Sequence, residues 1–322
     1  MEKIVVAGPF NPAMRRALAD AIPQDAFEME YIDSAEQYDR FAQADYVILR
    51  TLSIDAQQMK LLHRARLIQR WGAGFDTVDI EAAGRQGIQV AVTAGMNATP
   101  VSEMALALML AVYRNLVPMT EGIMAGRWER ETYSKRSYTL NGKTIGIYGC
   151  GNIGRKVARL CQAFGAQVIY YDPFRMKPEM EAQMNMRYVF PQELWRSSDI
   201  LSLHAPLTEE TRGIVNAQML SQMKDGAVLI NTAREELVDH AAVAEALRSG
   251  KLLGAGFDAI EAHFAEDNPF AGLSNVVLSG HLGGNTVDNA VHMARRIAEQ
   301  IAAVSRGERL EPPHLVNGQY LL

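Results

Sequence analysis

The sequence predicts an α/β protein made of two doubly wound parallel sheets. Three observations carry the prediction: short apolar runs alternate with helical patterns from the first residues, a three-glycine turn follows an apolar run near mid-chain, and a helical pattern near the end has no domain-sized segment after it. Strands alternating with helices build parallel sheets covered on both faces. A chain of 322 residues suggests two domains and buries about 75% of its unfolded surface.

In the first unit, residues 4–7, 27–31, 46–49, 67–69 and 88–92 read as strands separated by helices. The first of them leads into Ala7-Gly8-Pro9-Phe10, whose single glycine and following proline make a poor phosphate turn. A helix predicted over 101–114 opens a second unit, with Pro100 near its N-terminus and Glu103 in its first turn, where the dipole favours an acid. Residues 120–138 read as a polar helix and a loop. Strands follow at 144–148, 167–171, 200–203, 227–231, 254–257 and 275–278. After His281, Val291, Ala294, Ile297, Ile301 and Val304 recur at helical spacing. Such a closing helix returns to cover the first unit. The predicted division is a discontinuous, flavodoxin-like smaller domain, 1–98 with 287–322, and a larger Rossmann-type domain, 99–286.

The glycine turn, Gly149-Cys150-Gly151-Asn152-Ile153-Gly154, sits between a predicted strand and a predicted helix. Gly149 permits the tight turn, Gly151 lets a pyrophosphate approach the backbone, and Gly154 allows close helix packing. The helix N-terminus offers free N–H groups to the anion. Its buried face is expected to hold Ile153, Val157, Leu160, Cys161 and Phe164, with Gly165 as the cap. The next strand ends at Asp172, eighteen residues after Gly154. A carboxylate there accepts hydrogen bonds from a ribose hydroxyl and repels a 2′-phosphate. NAD is therefore the expected cofactor; NADP is the less expected alternative, with Arg175 as its conceivable phosphate partner.

Composition excludes several classes. A net charge of -5 and a charged share of 21% are ordinary, and too little basic charge is present to follow a phosphate backbone. The longest apolar stretch, 104–113, falls short of the roughly 20 residues of a membrane span. Met1-Glu2-Lys3 leads directly into a strand with no signal region, so the expected place is the cytoplasm, without nucleic-acid or membrane partners. The two cysteines, Cys150 and Cys161, are too few for a disulfide framework or a metal cluster.

Four more strands end in polar residues: His204, Arg234, Asp258 and His281. Ligands of open parallel sheets bind outside the carboxyl ends of strands, and this set suits hydride transfer to a 2-oxo acid. A fixed guanidinium at Arg234 holds a carboxylate and polarises a carbonyl. A histidine, here His281, delivers the proton when the hydride arrives.

Six segments carry a family resemblance: the Gly149 turn, Trp71-Gly72-Ala73-Gly74-Phe75-Asp76-Thr77-Val78-Asp79, Ser198-Asp199-Ile200 through Leu203-His204-Ala205-Pro206-Leu207-Thr208, Asn231-Thr232-Ala233-Arg234, Gly256-Phe257-Asp258, and Ser279-Gly280-His281. Together they resemble the D-isomer-specific 2-hydroxyacid dehydrogenases, in order, from about residue 45 to 315. The resemblance implies catalytic Arg234 and His281. It implies a cofactor set of Gly149, Gly151, Asn152, Ile153, Gly154, Asp172, His204, Pro206, Thr232, Ala233 and Asp258, with Asp258 near the nicotinamide. It further implies that Ala73 and Gly74 offer backbone to the substrate carboxylate, that Arg50 faces the cleft, and that the protein is a homodimer whose smaller domain closes over the cofactor. No segment remains for a separate regulatory domain, which points away from the longer phosphoglycerate dehydrogenases.

Two positions depart from the family. Five residues after Asp258, where the family has a catalytic glutamate, stands His263. A carboxylate partner favours the protonated, donating form of a histidine, and His263 does not do this in the same way. Three readings stand: His281 is oriented by His263 or another acid; Glu261 or Glu266 takes the role through a shifted loop; or activity is weak or lost. Glu235 replaces the usual glycine after the arginine, either narrowing the pocket or facing solvent at a helix entry. The rival to an NAD(H)-dependent oxidoreductase is an NAD(H)-binding regulator or scaffold on the same fold.

Overall fold

The computed structural model describes residues 1–321. The chain divides into two compact units, Met1–Asn97 with Gly284–Leu322, and Ala98–Gly283. These boundaries differ by one to three residues from the sequence-based division. Ala98 already belongs to the helix Ala98–Tyr113, and Gly283 is held to the larger unit by its N–H, which donates to Asp258 Oδ2 at 2.9 Å. The earlier start also moves Glu103 out of the first helical turn, which contains no acid.

The smaller unit contains β1 (Glu2–Ala7), β2 (Phe27–Ile32), β3 (Tyr46–Leu49), β4 (Leu67–Arg70) and β5 (Gln89–Ala91), all parallel, in the order β2-β1-β3-β4-β5. That is the flavodoxin-like order. Its strands are apolar at successive positions because both faces are covered: Tyr46 and Ile48 of β3 join one core, Val47 and Leu49 the other. The closing helix, Val287–Ser305, packs against Pro12–Ala21 through Ala290, Met293, Ala294, Ile297, Ile301 and Val304. Val291, expected in that stripe, is 40% exposed; the buried face runs through Ala290 and Met293 instead.

The larger unit adds β6 (Thr144–Tyr148), β7 (Gln167–Tyr171), β8 (Met186–Tyr188), β9 (Ile200–Leu203), β10 (Ala227–Asn231), β11 (Leu252–Phe257) and β12 (Val276–Leu278). They form one parallel sheet in the order β12-β11-β10-β9-β6-β7-β8. Counted from β6 this is the dinucleotide-binding order with one further strand, and its switch point lies between β6 and β9. Strand β8 was not predicted, since three edge residues are too few to show a period. Ile200, Val228 and Ile230 face one core while Leu201, Leu203 and Leu229 face the other.

The helix Asn152–Ala163 buries Gly154, Val157, Ala158 and Cys161. Phe164 is 46% exposed rather than buried, because it is the C-cap, where the chain leaves the helix before Gly165 at φ +80°. Among the described residues no single helix is long and apolar enough to cross a membrane. The apolar helix Ala98–Tyr113 instead contributes Ala105, Leu108, Met109 and Val112 to a core.

Candidate active site

The carboxyl ends of β6, β7, β9, β10, β11 and β12 carry the predicted residues of the larger unit. Past β6, Gly149 has φ +92°, and an added Cβ would lie 2.6 Å from the backbone nitrogen of Ala205. A side chain is excluded there by both conformation and space. At Gly154 an added Cβ would meet the Gly149 carbonyl oxygen at 2.3 Å, so the helix starts hard against the turn. Gly151 meets nothing within 4 Å. It is the N-cap residue, and no side chain caps the amides of the first turn, which include Asn152 and Ile153. A cradle that only glycine leaves open, ending in uncapped amides, fits a pyrophosphate.

Asp172 closes the cradle at the end of β7. Its Oδ2 accepts the Cys150 N–H at 2.7 Å and its Oδ1 the Phe174 N–H at 2.8 Å, which fixes the carboxylate beside the turn. Arg175 is committed elsewhere, with two hydrogen bonds to Glu181 at 2.8 and 3.0 Å and its guanidinium over the Tyr188 ring. Held this way it is drawn toward an acid rather than a 2′-phosphate. Burial pushes the thiols of Cys150 and Cys161 up to about 12, which makes both neutral packing groups.

Past β9, the His204 ring lies 2.9 Å from Ser202 Oγ and 3.5 Å from Thr232 Oγ1. Burial pushes this imidazole down to about 3, so it is neutral. Pro206 follows, its carbonyl accepting the Thr211 hydroxyl at 2.8 Å. Past β10, the fully buried Asn231 ties the turn that presents Arg234: its Oδ1 accepts the Ala233 N–H at 2.9 Å and its Nδ2 donates to the Arg234 carbonyl at 2.7 Å. The sequence alone assigns Asn231 no role. The available signal was an amide at the end of an otherwise apolar strand, where a buried polar group needs partners.

Asp258, 2% exposed, organises the segment that carries His281. Its carboxylate accepts from Ser279 Oγ at 2.8 Å and from the N–H groups of Leu282 and Gly283 at 2.9 Å each, while its carbonyl accepts the His281 N–H at 2.8 Å. This holds His281 at φ +52°, an uncommon conformation for a side-chain-bearing residue. The structure thus engages Asp258 with the histidine loop, a positioning task that the expectation of a nicotinamide contact did not include.

His281 Nδ1 lies 2.8 Å from Glu261 Oε1. An ionised carboxylate only accepts, so in this contact Nδ1 carries the hydrogen. Of the three readings, the first had His263 or another acid orient His281; His263 Nε2 pairs with Glu235 Oε1 at 2.9 Å, and the carboxylate at the imidazole is that of Glu261. The physical reason is the short 3₁₀ helix Ala262–Ala265, which Glu261 precedes as N-cap. A step of two residues in a three-residue turn sends Glu261 and His263 to different sides. Glu266 gives its backbone N–H to the His263 carbonyl at 3.0 Å. Glu235 does open the 3₁₀ helix Glu235–Leu237, but its side chain turns in from solvent, and its second oxygen accepts the Glu261 N–H at 3.0 Å. Burial raises its carboxyl above the usual range, against the opposing pull of His263.

Arg50, Ala73 and Gly74 belong to the smaller unit. The Arg50 guanidinium donates to the Pro9 carbonyl. The loop after β4 is held by Arg70 Nε, which donates to the Gly74 carbonyl at 2.9 Å, and by Thr93, whose hydroxyl and N–H both reach the Gly72 carbonyl. No group of three or more His, Cys, Asp or Glu with metal-holding geometry occurs among the described residues.

Comparison with known proteins bears on this site. A family model described as D-isomer specific 2-hydroxyacid dehydrogenase, NAD binding domain, matches residues 106–283. The chain is 36% identical over 280 residues to a glyoxylate reductase of Thermococcus litoralis, covering 85% of this chain and 84% of that protein. It is 35% identical over 276 residues to a hydroxypyruvate reductase of Thermotoga maritima, covering 84% and 88%. A solved glyoxylate reductase from Paecilomyes thermophila superposes with a TM-score of 0.83 at 27% identity, covering 97% of this chain and 98% of that one.

Proposed function

The chain belongs to the D-isomer specific 2-hydroxyacid dehydrogenase family, and from that premise we propose that it reduces a small 2-oxo acid to the D-2-hydroxy acid, with Arg234 and His281 as catalytic residues and Glu261 as the carboxylate that orients His281. The enzyme is NAD-dependent. When bound, the nicotinamide supplies the hydride to the carbonyl carbon, or takes it back in the oxidation. Gly149, Gly151, Asn152, Ile153 and Gly154 hold its pyrophosphate and Asp172 its ribose, while His204, Pro206, Thr232 and Ala233 line the cofactor's course along the strand ends.

Arg234 binds the substrate carboxylate and draws electron density from the carbonyl through its planar fork of donors. His281 gives the proton from Nε2 to the carbonyl oxygen as the hydride adds to carbon, and takes it back in the reverse direction. Glu261 keeps the ring in the tautomer and orientation that transfer needs. We assign substrate binding to the smaller unit, with Ala73 and Gly74 offering backbone N–H groups and Arg50 a further cation. We also infer a cytoplasmic protein and a homodimer, the latter because Leu116, Ile123, Met124 and Trp128 of the larger unit form an exposed apolar run, the kind of surface that a partner covers.

The observation that carries this reading is the 2.8 Å contact between His281 and Glu261. It supplies the acid that a histidine at position 263 would otherwise leave missing. The test is loss of NADH absorbance with glyoxylate, hydroxypyruvate, pyruvate and bulkier 2-oxo acids. Turnover of at least one is expected; NADH binding without turnover across the panel would favour a regulator on the same fold.

A further inference from the structure

We propose that Glu235 and His263 act as a latch that holds Glu261 against His281, which makes both of them positioning residues for proton transfer. The proposal rests on the assignment of His281 and Glu261 above. It starts from a difficulty: Glu261 is half of a catalytic pair, yet its own carboxylate is largely exposed and its loop has no regular strand or long helix to hold it. Something must restrict the backbone at Glu261.

Glu235 does so through both of its oxygens. Oε2 accepts the Glu261 N–H at 3.0 Å and Oε1 accepts from His263 Nε2 at 2.9 Å. One carboxylate therefore grips the loop at two points two residues apart, at the start and the middle of the 3₁₀ turn. The grip comes from the residue next to Arg234, so the segments carrying the substrate cation and the histidine partner are joined directly. The Glu235 side chain is itself only 18% exposed. Phe264 anchors the same turn from below, packing with Phe257, Phe270 and His240.

Charge explains why a histidine suits position 263. Glu235 and Glu261 are neighbouring acids, with Glu236 close by, and the Glu235 carboxyl feels both as like charges. Unopposed, that repulsion drives Glu261 away from the Glu235 side. The pull of His263 on Glu235 offsets it, while Glu261 is paired with His281. The usual catalytic position is thus occupied by a residue that supports the carboxylate two places earlier.

The experiment compares Glu235→Ala, His263→Ala, His263→Gln and Glu261→Gln in the full-length enzyme. Two readouts are used: kcat and KM for 2-oxo acid reduction, and the ¹⁵N resonances that report the His281 ring tautomer without cofactor. Glu261→Gln is expected to lower kcat and move the ring toward its Nε2–H form. Glu235→Ala and His263→Ala are expected to follow, lowering kcat by about 10- to 100-fold, the scale of a misplacement near 1 Å, with KM little changed. His263→Gln, which keeps a donor to Glu235, restores most of the rate. In a Glu261→Gln background neither alanine variant costs more. His263 is 60% exposed, so its replacement leaves folding intact. If Glu261→Gln alters rate and tautomer while the Glu235 and His263 variants alter neither, the latch is refuted and the catalytic pair survives. If Glu261→Gln is itself silent, the pair and the latch both fall.

Discussion

The carboxyl edge of the seven-stranded sheet has two halves built on different principles. Around β6, β7 and β9 the site is backbone: the Gly149 turn packs on Ala205, Gly154 packs on Gly149, and the one histidine, His204, is half-buried and neutral. Around β11 and β12 the site is side chain upon side chain: Asp258 holds the His281 loop, Glu261 holds the His281 ring, and Glu235 with His263 holds Glu261. The difference teaches what each half tolerates. A backbone cradle admits no substitute for Gly149 or Gly154, because a Cβ collides at either. A carboxylate next to a histidine only has to arrive, and the residue delivering it is free to move along the loop.

The largest expected effect separates the two halves by function. His281→Asn removes the proton donor and should lower kcat/KM for 2-oxo acid reduction by about 10²- to 10⁴-fold, while NADH binding measured by fluorescence titration stays near that of the parent. A variant that reduces substrate at a comparable rate would deny His281 its role. The converse experiment acts on the cradle. Gly154→Val forces bulk into a gap where even a Cβ stands 2.3 Å from the Gly149 carbonyl, and overpacking of this kind costs about 1–3 kcal/mol. The urea midpoint should fall, and NADH affinity should weaken at least about tenfold. Preserved affinity at reduced stability would mean that the pyrophosphate does not depend on this approach of helix to turn.

The same contrast explains what could be read from the sequence. The glycines, the strand that precedes them and the acid at Asp172 are legible because each follows from local geometry at a fixed spacing. The strand ends at His204, Arg234, Asp258 and His281 are legible for a similar reason, since a parallel sheet aligns its carboxyl ends. The partnership of His281 was not. Glu261, His263 and Glu266 are close in sequence, and which one reaches the imidazole depends on a 3₁₀ turn whose course is set by Phe264 packing and by Glu235, 26 residues earlier. Asn231 and Ser279 stand in the sequence motifs without a role, because their work is to hydrogen-bond a neighbouring loop, and one side chain carries no period. Phe164 and Val291 were misplaced for a different reason: helical spacing names a stripe, but the cap and the packing partner decide which residues lie on it.

The smallest effect sharpens the comparison through its two histidines. His281 meets a carboxylate and is exposed; His204 meets hydroxyls and is half-buried, with desolvation pushing its imidazole down to about 3. The unfolded chain takes up a proton at an ordinary histidine near 6.5, so between that pH and 3 the unfolded state binds more protons than the folded one. The stability that a neutral His204 provides is therefore complete above about 6.5 and declines as the pH falls toward 3. At about pH 5.5 the loss amounts to about 1.4 kcal/mol. His240, pushed down to about 4 by burial among Phe257, Phe264 and Phe270, acts in the same direction. Urea unfolding of the parent and of His204→Gln at about pH 7.5 and 5.5 measures the share of His204: the parent should lose more stability on acidification than the variant. Equal losses would mean that the buried half of the sheet edge admits a charged ring after all. The division between a closed backbone half and an open side-chain half would then lose its electrostatic basis.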